Sequence, residues 1–101
     1  MELKAAFAES LKHVRLKRGL TQEDFSLVSS RTNISLLERA KTIPTLEKME
    51  ELCERLSVHP VSLLAACYML KEGRQEITSF LEEIRAELEM LSQESNASGN
   101  L

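Results

Sequence analysis

Glycine is scarce in this chain of 101 residues, with three copies, and proline is scarcer, with two. β-Branched residues do not cluster either, so no stretch reads as a strand and the expected fold class is all-α. Cysteine occurs twice, as Cys53 and Cys67. Each lies inside an apolar helical pattern with no metal-type partner at short spacing, so both read as small buried hydrophobes. No apolar run approaches the roughly 20 residues that a membrane span needs. The opening Met1-Glu2-Leu3-Lys4 is too acidic and mixed for a secretory signal, so the expectation is a cytoplasmic protein with no membrane partner. With 43% apolar and 29% charged residues, there is enough core for one compact domain and a short appendage.

The net charge of -3 argues at first against a polyanionic partner, but it averages over an asymmetry. Residues 1–41 hold eight Lys/Arg against five Asp/Glu, residues 42–71 three against four, and residues 72–101 two against seven. A basic front and an acidic rear suit a molecule with one end facing phosphate and the other facing solvent or a protein.

Helical periodicity divides the front into five segments. The first is expected from about Lys4 to Arg18, with Phe7, Leu11 and Val14 on one stripe, Lys12, Lys17 and Arg18 outside, and Gly19 as a left-handed stop. A second starts at Thr21, whose hydroxyl caps it while Asp24 reaches back to the first-turn amides; Phe25 and Val28 face inward. The third follows Ser29 or Ser30, turns Ile34 and Leu37 inward and ends near Ala40. Lys41-Thr42-Ile43-Pro44 is a loop, because proline disfavours helix in the residue before it. Thr45 then caps a fourth helix carrying Leu46, Met49, Leu52, Cys53 and Leu56, which closes at Ser57-Val58. Pro60 opens a fifth, with Leu63, Leu64, Cys67 and Tyr68, and Gly73 ends it.

Beyond Gly73 the pattern changes. Ile77, Leu81, Ile84, Leu88 and Leu91 are spaced 4, 3, 4 and 3, the a/d seam of a coiled coil, and glutamates coat the rest. Two readings stay open: the helix pairs with a second copy, or it folds back on its own domain through Phe80 beside the seam. The expected organisation is thus a domain over residues 1–72, a C-terminal dimerisation helix over 73–92 and a disordered tail over 93–101.

Two short helices joined by a tight turn, the second presenting polar residues outward, form the geometry that enters a DNA major groove. Three motifs occur in order: Arg15-x-x-x-Gly19-Leu20-Thr21-Gln22-Glu23, Ile34-Ser35-x-x-Glu38-Arg39 and Pro44-Thr45-Leu46. On these residues the chain resembles the phage repressor and Cro-like (XRE-type) helix-turn-helix family over roughly residues 7 to 66. The resemblance implies a five-helix repressor-like domain that binds double-stranded DNA as a homodimer and regulates transcription, with repression as the expected outcome. It implies that Thr21 and Gln22 clamp a phosphate. It makes Arg31, Thr32 and Asn33 recognition residues, Arg31 pairing bidentately with guanine, and sets Leu36 one turn later. Leu36 then either meets a thymine methyl or packs at the core edge. Arg39 and Lys41 would lie along the sugar-phosphate strand. Arg15 and Glu38 are implied to form a structural ion pair between the first and third helices.

The chain departs from the family pattern in the turn. Ser26 stands where alanine is usual, Ser29-Ser30 where glycine is, about two residues are missing between Gln22 and Ile34, and Ala40 replaces a glycine common after the Glu-Arg pair. An enzyme finds little support. His13 and His59 have no neighbouring nucleophile, and Glu82-Glu83 lacks the histidine a metal site would add, so neither a catalytic nor a metal site is expected and no cofactor is implied. A protein-binding adaptor that has lost DNA is the competing class. Within DNA binding, a repressor, an antitoxin holding a toxin on its acidic rear helix, and a restriction-modification controller fit equally.

Overall fold

The computed structural model describes residues 1–25 and 31–96, the side chains of residues 31, 32 and 93–96 excepted. All regular structure in it is helical: α1 (Leu3–Lys17), a short 3₁₀ turn (Gln22–Phe25), α2 (Arg31–Glu38), α3 (Leu46–Leu56), α4 (Pro60–Glu72) and α5 (Ile77–Asn96). Of the expected second helix the described part, Gln22–Phe25, is a 3₁₀ turn; Val28 and the turn through Ser29-Ser30 lie outside the described residues. No helix among the described residues is long and apolar enough to cross a membrane.

Local chemistry sets the boundaries. Thr45 caps α3 by accepting the Lys48 N–H at 3.1 Å. His59 caps α4 through Nδ1, which accepts the Val61 N–H at 3.0 Å, and Pro60 supplies a first position that needs no donor. Four helices end in one motif, in which a residue in left-handed conformation lets two amides return to the last turn. After α1, Leu20 N–H bonds to the Arg15 carbonyl and Gly19 N–H to that of Leu16, both at 3.0 Å. The same bonds run from Lys41 to Leu36, Val58 to Cys53 and Arg74 to Met69. The left-handed residues are Gly19, Ala40, Ser57 and Gly73, so two of the four ends hold a Cβ where glycine is easiest.

The core forms where the inward stripes of α1 to α4 meet the 3₁₀ turn. Phe7 and Leu11 from α1, Phe25 from the 3₁₀ turn, Ile34 and Leu37 from α2, Leu52, Cys53 and Leu56 from α3, and Leu63 and Cys67 from α4 are buried together. α1 packs most broadly on α4 and also on α2, while α2 rests against the 3₁₀ turn. Both cysteines are free and buried, and burial pushes both thiols up from their ordinary range.

α5 stands apart. Its only fully buried side chain among the described residues is Phe80, with the Arg74 guanidinium 4.9 Å above the ring centroid. Arg74 also bonds Glu72 at 2.7 Å and Glu83 at 2.9 Å, tying the end of α4 to α5. The helix runs to Asn96, four residues past the end expected at Ser92, and the remaining tail, 97–101, lies outside the described residues. The radius of gyration is 15.5 Å, above the ~13 Å of a compact chain this long, as a projecting helix requires.

Candidate nucleic-acid interface

The site is built around one buried arginine. Arg15 sits in the last turn of α1 at 7% exposure, on the stripe that faces α2. Its Nε donates to Glu38 Oε2 at 2.6 Å and its Nη2 to Glu38 Oε1 at 2.9 Å, a two-pronged pairing of guanidinium with carboxylate. Nη1 donates to the Leu20 carbonyl at 2.8 Å, and Gln22 Nε2 adds a bond to Glu38 Oε1 at 3.1 Å. One carboxylate thus joins α1, the 3₁₀ turn and the last turn of α2. The hydrogen bonds that Arg15 donates to Glu38 hold the Arg15 pKa above its ordinary value against the opposing cost of burial, and the Glu38 charge adds to them. No buried side-chain nitrogen or oxygen among the described residues lacks a partner.

Thr21 is exposed and locked to Asp24. Its amide donates to Asp24 Oδ2 at 2.6 Å and its hydroxyl to the same oxygen at 3.1 Å, while the Asp24 amide donates back to Thr21 Oγ1 at 3.3 Å. The Thr21 amide lowers the Asp24 pKa most, the hydroxyl next, and the charge of Arg55 adds to both. Thr21 therefore spends its donors internally, and Gln22 spends one on Glu38. The phosphate role expected of this pair requires exchanging those partners for a phosphate oxygen.

α2 carries the expected reading residues. Arg31, Thr32 and Asn33 form its first turn, and the side chains of Arg31 and Thr32 lie outside the described set. Asn33 and Leu36 are half-buried, three residues apart on one side of the helix. Leu36 is therefore neither core nor fully presented. Ile34 and Leu37, each 1% exposed, and Glu38 take the opposite side and fix how α2 rotates about its axis. Arg39 and Lys41 are exposed on the chain that leaves the helix, and Arg39 Nε makes only a long 3.4 Å bond to the Ser35 carbonyl. The structure thus gathers Arg15, Gln22 and Glu38 into one network behind α2 and leaves Arg39 and Lys41 at its rim.

Two arginines hold this frame without having been singled out from the sequence. Arg18 donates from Nε to the Leu56 carbonyl and from Nη2 to that of Ser57, both at 3.0 Å, so α1 caps the end of α3. Arg55 Nε donates to the Asp24 carbonyl at 2.9 Å and ties α3 to the 3₁₀ turn. Both are surface cations by position, and a contact 38 or 31 residues away leaves no trace in local periodicity. Among the described residues, no three His, Cys, Asp or Glu side chains gather as metal ligands.

A helix held by its inner face on a helical bundle, with cations at its exit, is an arrangement that helix-turn-helix DNA-binding domains use. The model of the helix-turn-helix family matches residues 11–63, more than half of the chain, and the chain belongs to that family. It is a DNA-binding regulator of the XRE type, from a family of regulators and not of enzymes. No curated protein and no solved structure matches it.

Proposed function

We propose that this chain represses transcription as a homodimer on a near-palindromic operator. Two copies pair through the seam of Ile77, Leu81, Ile84, Leu88 and Leu91, and their two α2 helices enter successive major grooves. Half-sites then lie about 34 Å apart, or a multiple of that. Arg31, Thr32 and Asn33 face base edges, Leu36 lies beside them, and Thr21, Gln22, Arg39 and Lys41 contact the backbone. The observation that carries this reading is the Arg15–Glu38–Gln22 network, which holds α2 against the bundle by its inner side and leaves Arg39 and Lys41 exposed at its exit. The exposed seam of α5 supports the pairing.

Selection of bound fragments from a random duplex pool tests binding, symmetry and spacing together. An inverted repeat with that spacing is expected; recovery of unrelated sequences rejects the reading. Arg31→Ala, measured on the selected operator by fluorescence anisotropy, should lose roughly 1–3 kcal/mol and relax preference at one base pair. Equal loss on every sequence demotes Arg31 to a backbone contact. Steep tightening as salt falls separates phosphate neutralisation from an adaptor that ignores DNA.

A further inference from the structure

α5 is docked on the bundle along one edge, through Phe80 and Arg74, and the face beside that edge is open. Ile77, Leu81, Leu88 and Leu91 are between 44% and 61% exposed. α4 turns a second apolar surface toward the same space: Val61 is 61% exposed and Tyr68 38%. With Leu64, Ala65, Leu81 and Ile84 they line one groove between α4 and α5.

The register of the seam indicates how many helices it accommodates. Spacings of 4, 3, 4 and 3 put Leu81 and Leu88 at a, and Ile77, Ile84 and Leu91 at d. Leucine at a with isoleucine at d disfavours a two-stranded pair and favours layers built from more helices, because the β-branched residue at d fits poorly where only two backbones face each other. Area points the same way. The four seam side chains near half exposure and the more covered Ile84 offer on the order of 450 Å² per copy, so a seam-only pair buries roughly 900 Å², short of the ~1,200–2,000 Å² of stable specific interfaces. Adding the open face of α4 brings the total to roughly 1,400 Å², inside that range.

We infer that the partner copy's α5 seats in the groove between α4 and α5, so that the dimer closes as a four-helix layer of α4 and α5 from both copies. The inference rests on the dimeric reading above and adds α4 to its interface. Most of the acidity near the groove is answered within the chain: Arg74 holds Glu72 and Glu83, and Arg85 holds Glu82 and Glu89, while Glu87 also lines the groove. Since α4 also packs on α1, this closure fixes the two DNA-facing domains relative to each other, which a coil projecting alone does not.

Sedimentation equilibrium of the full chain tests it with two variants, Val61→Gln/Tyr68→Gln on α4 and Leu88→Gln on the seam. Wild type is expected to be a dimer, and each variant should raise the dimer dissociation constant at least about tenfold. If the α4 variant dimerises like wild type while Leu88→Gln dissociates, the groove is not the seat, and the dimeric reading survives alone. A wild-type tetramer built from four α5 helices also overturns the inference, and a wild-type monomer overturns both readings. A nitroxide on Val61→Cys reads the groove without emptying it, since Cys53 and Cys67 are buried and the new thiol is the reactive one. The label should lose mobility when the dimer forms; equal mobility in monomer and dimer rejects the seat.

Discussion

The bundle of α1 to α4 and the helix α5 are both striped with apolar residues, yet they satisfy those stripes differently. In the bundle, Leu11, Phe25, Leu52, Leu56 and Leu63 are 0% exposed, and each nitrogen of the buried guanidinium has an acceptor. In α5, Phe80 is the one buried side chain among the described residues, and four of the five seam residues are nearly half exposed or more. Salt bridges on α5 join side chains close in sequence and open to water, which contribute little, whereas the Arg15–Glu38 pair spans 23 residues and is buried. Periodicity marks a stripe but not what covers it. The first region is completed by its own chain, and the second leaves its stripe open to solvent.

The harshest way to break this contrast is Glu38→Ala. It leaves Arg15 buried without its carboxylate and should cost roughly 3–5 kcal/mol. The urea midpoint of the full chain should fall steeply; an unchanged midpoint means the network does not hold the bundle. Truncation after Gly73 acts on the other region. It removes the seam and should weaken operator binding at least about 100-fold, near 3 kcal/mol, by leaving each half-site to bind alone. Loss of the Phe80 contact should cost the bundle less than that. A truncated chain that still sediments as a dimer and binds normally removes α5 from the interface.

What the sequence made legible follows the range of each interaction. Boundaries set by local chemistry read correctly: Gly19 and Gly73 as left-handed stops, Thr45 and Pro60 as helix starts, and Thr21 with Asp24 as a reciprocal cap. Phe7, Leu11, Ile34, Leu37, Leu52 and Leu56 followed from period alone and lie in the core. Bonds made across the fold did not follow. The Arg18 cap on α3 and the Arg55 bond to Asp24 join exposed residues with no pattern, and the Arg15–Glu38 pairing was suggested by family motifs, not by spacing. The 3₁₀ geometry of Gln22–Phe25 was likewise hidden, because a capping box announces a helix start without fixing its pitch.

A smaller effect sharpens the contrast from within the bundle. Ala40 ends α2 at φ 60°, where its Cβ crowds the backbone, and the motif there matches that of Gly19. Relief of that strain should outweigh the extra freedom glycine gives the unfolded chain, so Ala40→Gly should stabilise by about 0.5–1 kcal/mol. A higher urea midpoint with an unaltered dimer constant is the expected pair of results. A lower midpoint shows that the loop through Lys41 has adapted to the alanine.

Mild acid is the gentlest probe of the same frame. The folded state depresses the Asp24 pKa below its ordinary 3.8 through the Thr21 amide and hydroxyl. The unfolded chain therefore takes up this proton first as pH falls, and the stability contributed above that ordinary value is lost as pH drops through the lower, folded one. Asp24→Asn should be less stable than wild type near neutrality and should flatten the decline below about pH 4. Glu82 on α5 is also depressed, chiefly by its hydrogen bonds from Arg85, but it titrates in both proteins and cancels in the difference. Parallel urea-midpoint curves for the two proteins between pH 5 and 2.5 would show that the Thr21–Asp24 cap contributes nothing that protons can remove. The placing of the 3₁₀ turn would then rest on the bonds of Gln22 and Arg55.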